Sequence, residues 1–242
     1  MNFPMVRSSG RKPDQLRELD IQVAINKYAE GSCMICCGDT QVICTATVDE
    51  KVPQFIRGRS EGWVTAEYSM IPRSTGTRVS RDRDKPNSRS LEIQRLIGRS
   101  LRTAVDMRKL GVRQLVVDCD VIQADGGTRC ASVTGGFVAM YLALAELVRR
   151  GTLAESPITN FVAAVSCGIC GGNTLLDLDY EEDSGSDADV NFVMNDRDEI
   201  VEIQGTAEKS PFPFSRLAEL SGLASGAIKK LIHRQREALG LL

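Results

Sequence analysis

Polar and apolar residues alternate in two runs, Ser32 to Cys37 and Gln41 to Val48, with Gly38-Asp39-Thr40 between them. Period two predicts strands, and the glycine-led break predicts a hairpin turn. Met1 to Pro13 is irregular. Asp49 to Glu61 is polar and reads as a loop, and Trp63 to Ile71 is a mixed apolar segment that stops at Pro72. Arg73 to Ser90 is almost devoid of apolar residues, and structureless stretches of that length are usually functional or disordered. The period then changes. Ile93, Leu96, Ile97, Leu101, Ala104 and Val105 recur at helical spacing, which predicts an amphipathic helix over Leu91 to Lys109 closed by Gly111. Arg95, Arg99 and Arg102 fall together on another face of it, at i, i+4 and i+7.

Leu115 to Ile122 is an apolar strand that runs into the turn Gly126-Gly127-Thr128-Arg129, and a second helix is expected over Ser132 to Arg150, ended by Gly151. Phe161 to Gly168, Thr174 to Leu178, Val190 to Met194 and Ile200 to Gln204 read as further strands. An acidic loop from Asp179 to Asp189 lies among them. Ser215 to Leu239 reads as a closing helix with Ser215 as N-cap, weakened in its middle by Gly222 and Gly226. Strands interleaved with helices predict an α/β (α+β) fold, a mixed sheet packed with helices, in one domain over 1–242. Two related halves fit the element order, but no repeat is visible.

No run of about 18 apolar residues occurs, so no membrane partner is expected. The start of the chain has no apolar signal core, so the cytoplasm is the expected compartment. Eight cysteines include two C-x-x-C pairs, Cys33/Cys36 and Cys167/Cys170. That spacing suits a zinc-stabilised binding module. Both pairs sit in strand-like runs, however, where positions i and i+3 face opposite sides. Buried packing is the favoured reading.

Charge sharpens the picture. The chain has 30 Lys+Arg and 32 Asp+Glu, but 14 of the basic residues and only 6 of the acidic ones lie between Arg57 and Arg113. A basic middle segment is the footprint of a polyanionic partner. His233 is the single histidine, so catalytic proton or metal work falls to carboxylates. Asp183 and Asp189 offer them, either as a general acid or as ligands of a magnesium ion. Around Asp177 the EF-hand pattern fails, with Glu182 where it needs glycine. The turn at Gly127, Thr128 and Arg129 has the features of an anion site: glycines, free amides at a helix start and a planar donor fork. It lacks the lysine of a nucleotide-triphosphate loop. Arg89, just before the predicted helix, is a second anion-friendly position. Arg73, Arg78 and Arg81 precede it on the polar stretch, as in arginine-rich loops that order on nucleic acid.

Several segments in this order resemble the ribonuclease PH family of phosphate-dependent 3′ exoribonucleases. They are Ser-Gly-Arg (9–11), Gln-Leu-Arg (15–17), Gly-Trp-Val-Thr-Ala-Glu-Tyr (62–68), Ile-Pro-Arg-Ser-Thr (71–75) and Leu-Glu-Ile-Gln-Arg-Leu-Ile-Gly-Arg (91–99). To these are added Asp118 to Arg129 and Ile-Gln-Gly-Thr-Ala-Glu (203–208). The resemblance implies the ribonuclease PH fold, built of β-α-β units like domain 2 of ribosomal protein S5. It implies inorganic phosphate as co-substrate, attacking the last phosphodiester of an RNA such as a tRNA precursor and releasing a nucleoside diphosphate. It places phosphate at Arg89, Gly127, Thr128 and Arg129, the catalytic acidic pair at Asp183 and Asp189, and the tRNA grip at Arg73, Arg78 and Arg81. It also implies Mg2+ and a homo-hexamer, a trimer of dimers. The chain departs from the family pattern at Ser88 and Ser90, which flank Arg89, at Cys130, and over Asp82 to Asn87. A catalytically silent RNA-binding ring subunit is the competing reading, against which Arg89, Arg129 and Asp183 speak.

Overall fold

A computed structural model describes residues 7–81 and 88–242; the expected departure at Asp82 to Asn87 lies outside the described residues. The first sheet contains β1 (Leu19–Val23), β2 (Gly31–Cys37), β3 (Thr40–Asp49), β4 (Trp63–Met70) and β5 (Gln114–Gln123). Its spatial order is β1-β2-β3-β5-β4, antiparallel except for the β4/β5 pair. The hairpin forms where the alternation places it, with Gly38 at φ +54°. Parallel neighbours need a crossover, here α1 (Ser88–Arg102) and α2 (Met107–Leu110). The second sheet orders β6 (Val162–Cys170), β7 (Asn173–Leu176), β8 (Ala188–Asn195) and β9 (Ile200–Ala207) as β7-β6-β8-β9, all antiparallel. The mixed α/β architecture expected from the pattern is therefore present.

Between the sheets runs α3 (Thr128–Arg149), packed on β2 and β3 on one side and on β6 on the other. An interior helix can be apolar all round. This explains why α3 has the length and hydropathy of a membrane span although most of it is buried. Contact with the first sheet is close at Gly31 of β2, where a Cβ would stand 2.0 Å from the Ala139 carbonyl oxygen, and at Gly135, where it would stand 2.7 Å from Ile35 Cγ2. One hydrophobic cluster continues from the first sheet through α3 into the second.

Several expected boundaries move, each for a local reason. The helix expected over Leu91 to Lys109 is broken at 103–106. There Val105 bridges Ile158, and the Asp106 carboxylate caps α2 by accepting from the amides of Arg108 and Lys109. The second helix starts at Thr128 instead of Ser132, because Gly127, at φ +64°, turns the chain directly into it. The expected acidic loop contains a helix, α4 (Tyr180–Gly185), set by a capping box between Asp179 and Glu182. The last helix, α5 (Phe214–Ala238), starts after Pro213 with no side-chain cap, so Ser215 is not its N-cap. Its glycines, Gly222 and Gly226, leave it continuous and face open space. The C-x-x-C cysteines diverge: Cys167 donates toward Leu220 of α5 and Cys170 toward Glu182 of α4, while Cys33 points at Gly135 and Cys36 is half-exposed.

Three arginines ahead of β1 hold α4 in place. Arg7 is buried and donates to both Glu182 carboxylate oxygens at 2.6 Å, and to the carbonyls of Leu176 and Asp177 at 2.9 Å. Arg11 pairs with Asp179 at 3.2 Å and Glu182 at 3.3 Å. Arg17 forks onto Asp177, with Nη2 at 2.7 Å, and also donates to the Asp125 carbonyl. Burial alone would raise the Glu182 pKa, but the Arg7 hydrogen bonds bring it below the ordinary glutamate value. A depressed carboxylate pKa stabilises the fold above the unfolded-state value, and that stability is lost as pH falls through the folded-state value. Glu182→Gln leaves Arg7 buried with an uncompensated charge and is expected to cost about 3–5 kcal/mol at neutral pH. Urea unfolding at pH 7 and at acid pH checks both points: the deficit of the variant should shrink on acidification.

Candidate active site

The β5–α3 turn and α4 come together because Gly126 allows it. At φ +71° it packs so closely that a Cβ would lie 2.5 Å from the Leu178 carbonyl oxygen and 2.6 Å from the Asp179 carbonyl carbon. Thr40 Oγ1 fixes the turn by donating to the Gly126 carbonyl at 2.7 Å and accepting from the Asp125 amide at 2.9 Å. The Asp125 carboxylate in turn accepts from the amide of Tyr180, the first residue of α4, at 3.2 Å. Gly127, Thr128 and Arg129 thus stand at the N-terminus of a 22-residue helix, next to the segment that carries Asp183.

The expected phosphate residues and the acidic pair share this cleft. Arg89 lies inside the first turn of α1 instead of before it. Burial raises the Asp183 pKa, and the positive charges of Arg89 and Arg129 oppose that rise. Asp189, on β8, is raised by burial and then by the charge of Asp183, with Arg129 opposing. Arg129 therefore acts on both half-buried carboxylates and Arg89 on Asp183, while the charges of Asp183 and Glu208 disfavour ionisation of Asp189. Two carboxylate oxygen donors suit a hard divalent cation such as Mg2+, which takes one or two protein carboxylates and completes its shell with water and phosphate. Among the described residues no cluster of three or more His, Cys, Asp or Glu forms a larger metal cage.

Other residues at the site were not singled out from the sequence. Tyr68, buried at the end of β4, makes a 2.9 Å hydrogen bond to Thr128 Oγ1. Burial raises its pKa against the pull of Thr128, Arg89 and Arg129, so it remains a phenol. Glu92 on α1 and Gln204 on β9 hold Arg129: its Nη1 donates to Gln204 Oε1 and lies 3.5 Å from Glu92 Oε1. Gln204 Nε2 also donates to Glu92. Cys130 donates to Asn191 Oδ1 at 3.2 Å, and Asn191 Nδ2 donates to Asp189 at 3.4 Å. Burial pushes the Cys130 thiol up to about 12, so this departure from the family pattern works as a neutral packing and donor group. The arginine clamp from Arg7 to Arg17 completes the missed set. Tyr68, Gln204, Arg11 and Arg17 all lie in segments that carry the resemblance, but no spacing rule marks them.

Arg73, Arg78 and Arg81 are exposed on the stretch after β4 and have no carboxylate partner among the described residues. That stretch is anchored next to the cleft: the Ala124 amide donates to the Ser74 carbonyl and the Val79 amide to the Pro72 carbonyl.

Comparison with known proteins agrees with this arrangement. The sequence model of the 3′ exoribonuclease family matches residues 15–146 with its domain 1 and residues 160–226 with its domain 2. Ribonuclease PH of Neisseria meningitidis serogroup B is 55% identical over 231 residues, covering 95% of this chain and 96% of the relative. Ribonuclease PH of Rhodospirillum rubrum is 53% identical over 239 residues, covering 98% and 100%. Among solved structures, a chain of the Archaeoglobus fulgidus exosome with RNA bound to the active site superposes with a TM-score of 0.79 at 24% identity, covering 94% of this chain and 92% of that one. Rice (Oryza sativa) Rrp46 gives 0.75 at 18% identity, covering 96% and 100%. These structural likenesses establish a common fold. Together with the end-to-end sequence identity they lead to one conclusion: the chain belongs to the ribonuclease PH family of 3′ exoribonucleases.

Proposed function

We propose that this protein shortens RNA from its 3′ end by phosphorolysis, with tRNA precursors as the substrate class. Convergence of the Gly127–Arg129 turn, Arg89 and the Asp183/Asp189 pair in one cleft is the observation that carries the reading. Nucleophile and scissile group are both anionic, so their approach must be offset by preorganised cations and amide dipoles. The turn amides, the Thr128 hydroxyl, Arg129 and Arg89 form a seat for inorganic phosphate. One phosphate oxygen attacks the terminal phosphodiester. A new P–O bond forms, the bond to the upstream 3′-oxygen breaks and the proton of the attacking hydrogen phosphate ends on that oxygen, so the products are a nucleoside diphosphate and an RNA one residue shorter with a free 3′-hydroxyl. Asp183 and Asp189 stand at the leaving oxygen, where we assign them to hold Mg2+. When bound, the ion supplies positive charge to the departing oxygen. Arg73, Arg78 and Arg81 grip the body of the tRNA, and the ring of dimers implied by the resemblance is part of the same proposal.

Incubation with 3′-extended RNA should release nucleoside diphosphates only when phosphate is present. Release of monophosphates without phosphate overturns phosphorolysis, and RNA binding without shortening favours the silent-subunit reading. Arg129→Ala should lower kcat/KM by about 10²–10³-fold, the usual cost of one preorganised charge-stabilising donor. Tyr68 acts as a positioning residue: its hydrogen bond to Thr128 Oγ1 fixes the threonine hydroxyl at the phosphate seat. Tyr68→Phe should raise KM for phosphate several-fold with a smaller change in kcat; an unchanged KM removes that role.

The pH profile distinguishes the two roles open to the acidic pair. As cation ligands both carboxylates must be ionised, and both have raised pKa values. Activity should therefore fall on acidification, as protons compete with the cation for the pair. A general acid has the opposite sign, with activity lost as pH rises through its pKa.

A further inference from the structure

Arg95, Arg99 and Arg102 are not used by the phosphate site, yet they lie along a groove that opens from it. At its near end Glu92 and Gln204 hold Arg129. Further along, Arg99 reaches across to Glu202 of β9, with Nη2 to Oε1 at 2.6 Å. Beyond that, Arg99, Arg102, Thr103, Val201 and Glu202 border a shallow, open hollow of about 500 Å3 between α1 and β9. Glu92 and Arg102 are ten positions apart on the helix, which is roughly 15 Å at 1.5 Å per residue. The track ends on aromatic surface. The Arg102 guanidinium stacks 4.4 Å from the Trp63 ring and donates to the Val64 carbonyl, and Phe55 meets Trp63 edge-on at 5.1 Å while remaining 64% exposed.

We propose that this α1/β9 groove is the track for single-stranded RNA upstream of the scissile bond, a reading that rests on the exoribonuclease function above. Arg95 and Arg99 meet backbone phosphates, and Phe55, backed by Trp63 and Arg102, is a stacking platform for a base. Guanidiniums next to an aromatic face are the combination by which proteins hold single strands regardless of sequence. Arg99 is exposed and forks onto both Glu202 carboxylate oxygens, so a phosphate, which suits the same fork, competes with that carboxylate for the guanidinium. Arg95 is exposed and has no ion-pair partner among the described residues. Continuity with the catalytic cleft selects RNA over a protein partner, because a strand whose last phosphodiester meets the phosphate seated at Arg129 must leave along one of the walls of the site.

The full-length protein is titrated with fluorescein-labelled single-stranded RNAs, a trinucleotide and one of about ten nucleotides, across a salt series. Affinity of the unsubstituted protein should rise with RNA length. The double variant Arg95→Ala, Arg99→Ala should lose most of that rise and flatten the salt dependence by about 0.7 in log–log slope for each phosphate contact removed. Phe55→Ala should weaken the longer RNA roughly tenfold, the cost of one lost base stack. These side chains are exposed, and circular dichroism verifies that the variants fold. Unaltered affinity and salt slope in the variants overturn the proposal. So does a change in oligomeric mass with unaltered RNA affinity, which marks the face as a protein interface. Phosphate-dependent diphosphate release by the unsubstituted protein is measured in parallel. Its absence removes the exoribonuclease reading, while the binding titration still decides the groove.

Discussion

A buried arginine–carboxylate network in front of the first strand is the constraint on which the site depends. Arg7 has its guanidinium out of water and so must find an acceptor for each donor; it finds them on Glu182 and on the carbonyls that follow β7. Ion pairs of this kind add little net stability against an apolar alternative, but they are unforgiving of misplacement. Here they fix a six-residue helix that could not hold itself, since isolated helices of that length do not persist in water. Asp183 is a member of that helix. Its position relative to the α3 turn is thus set by arginines far away in sequence.

Within the cleft, like and unlike charges are balanced by geometry. Asp183 and Asp189 resist ionisation because they are half-buried, with the Glu208 charge adding to the effect, and Arg129 relieves both. Arg129 is in turn restrained by Gln204 and Glu92, from different elements, so the guanidinium does not fold back onto the carboxylates. The arrangement sets positive and negative groups side by side in one cleft.

Much of the fold was legible from periodicity: the β2/β3 hairpin, the amphipathic face of α1 and the strand entering the glycine turn all lie where the pattern places them. Errors occurred where long-range contacts set local structure. The break after Arg102 follows from Val105 bridging Ile158, and α4, though begun by a local capping box, is held by the buried arginines from the start of the chain. At the site, the residue types with obvious chemistry could be named in advance. Tyr68, Gln204 and the Arg7 clamp could not, because their importance lies in what they touch. His233, set aside from the sequence, is on the exposed face of α5 beside Glu237.

The central helix gives the site one further property. Thr128 and Arg129 form the first turn of a helix whose remaining turns are the interior shared by both sheets. The backbone donors of that turn therefore share the rigidity of the core and not that of a loop. Folding has already met the entropic cost of aligning them.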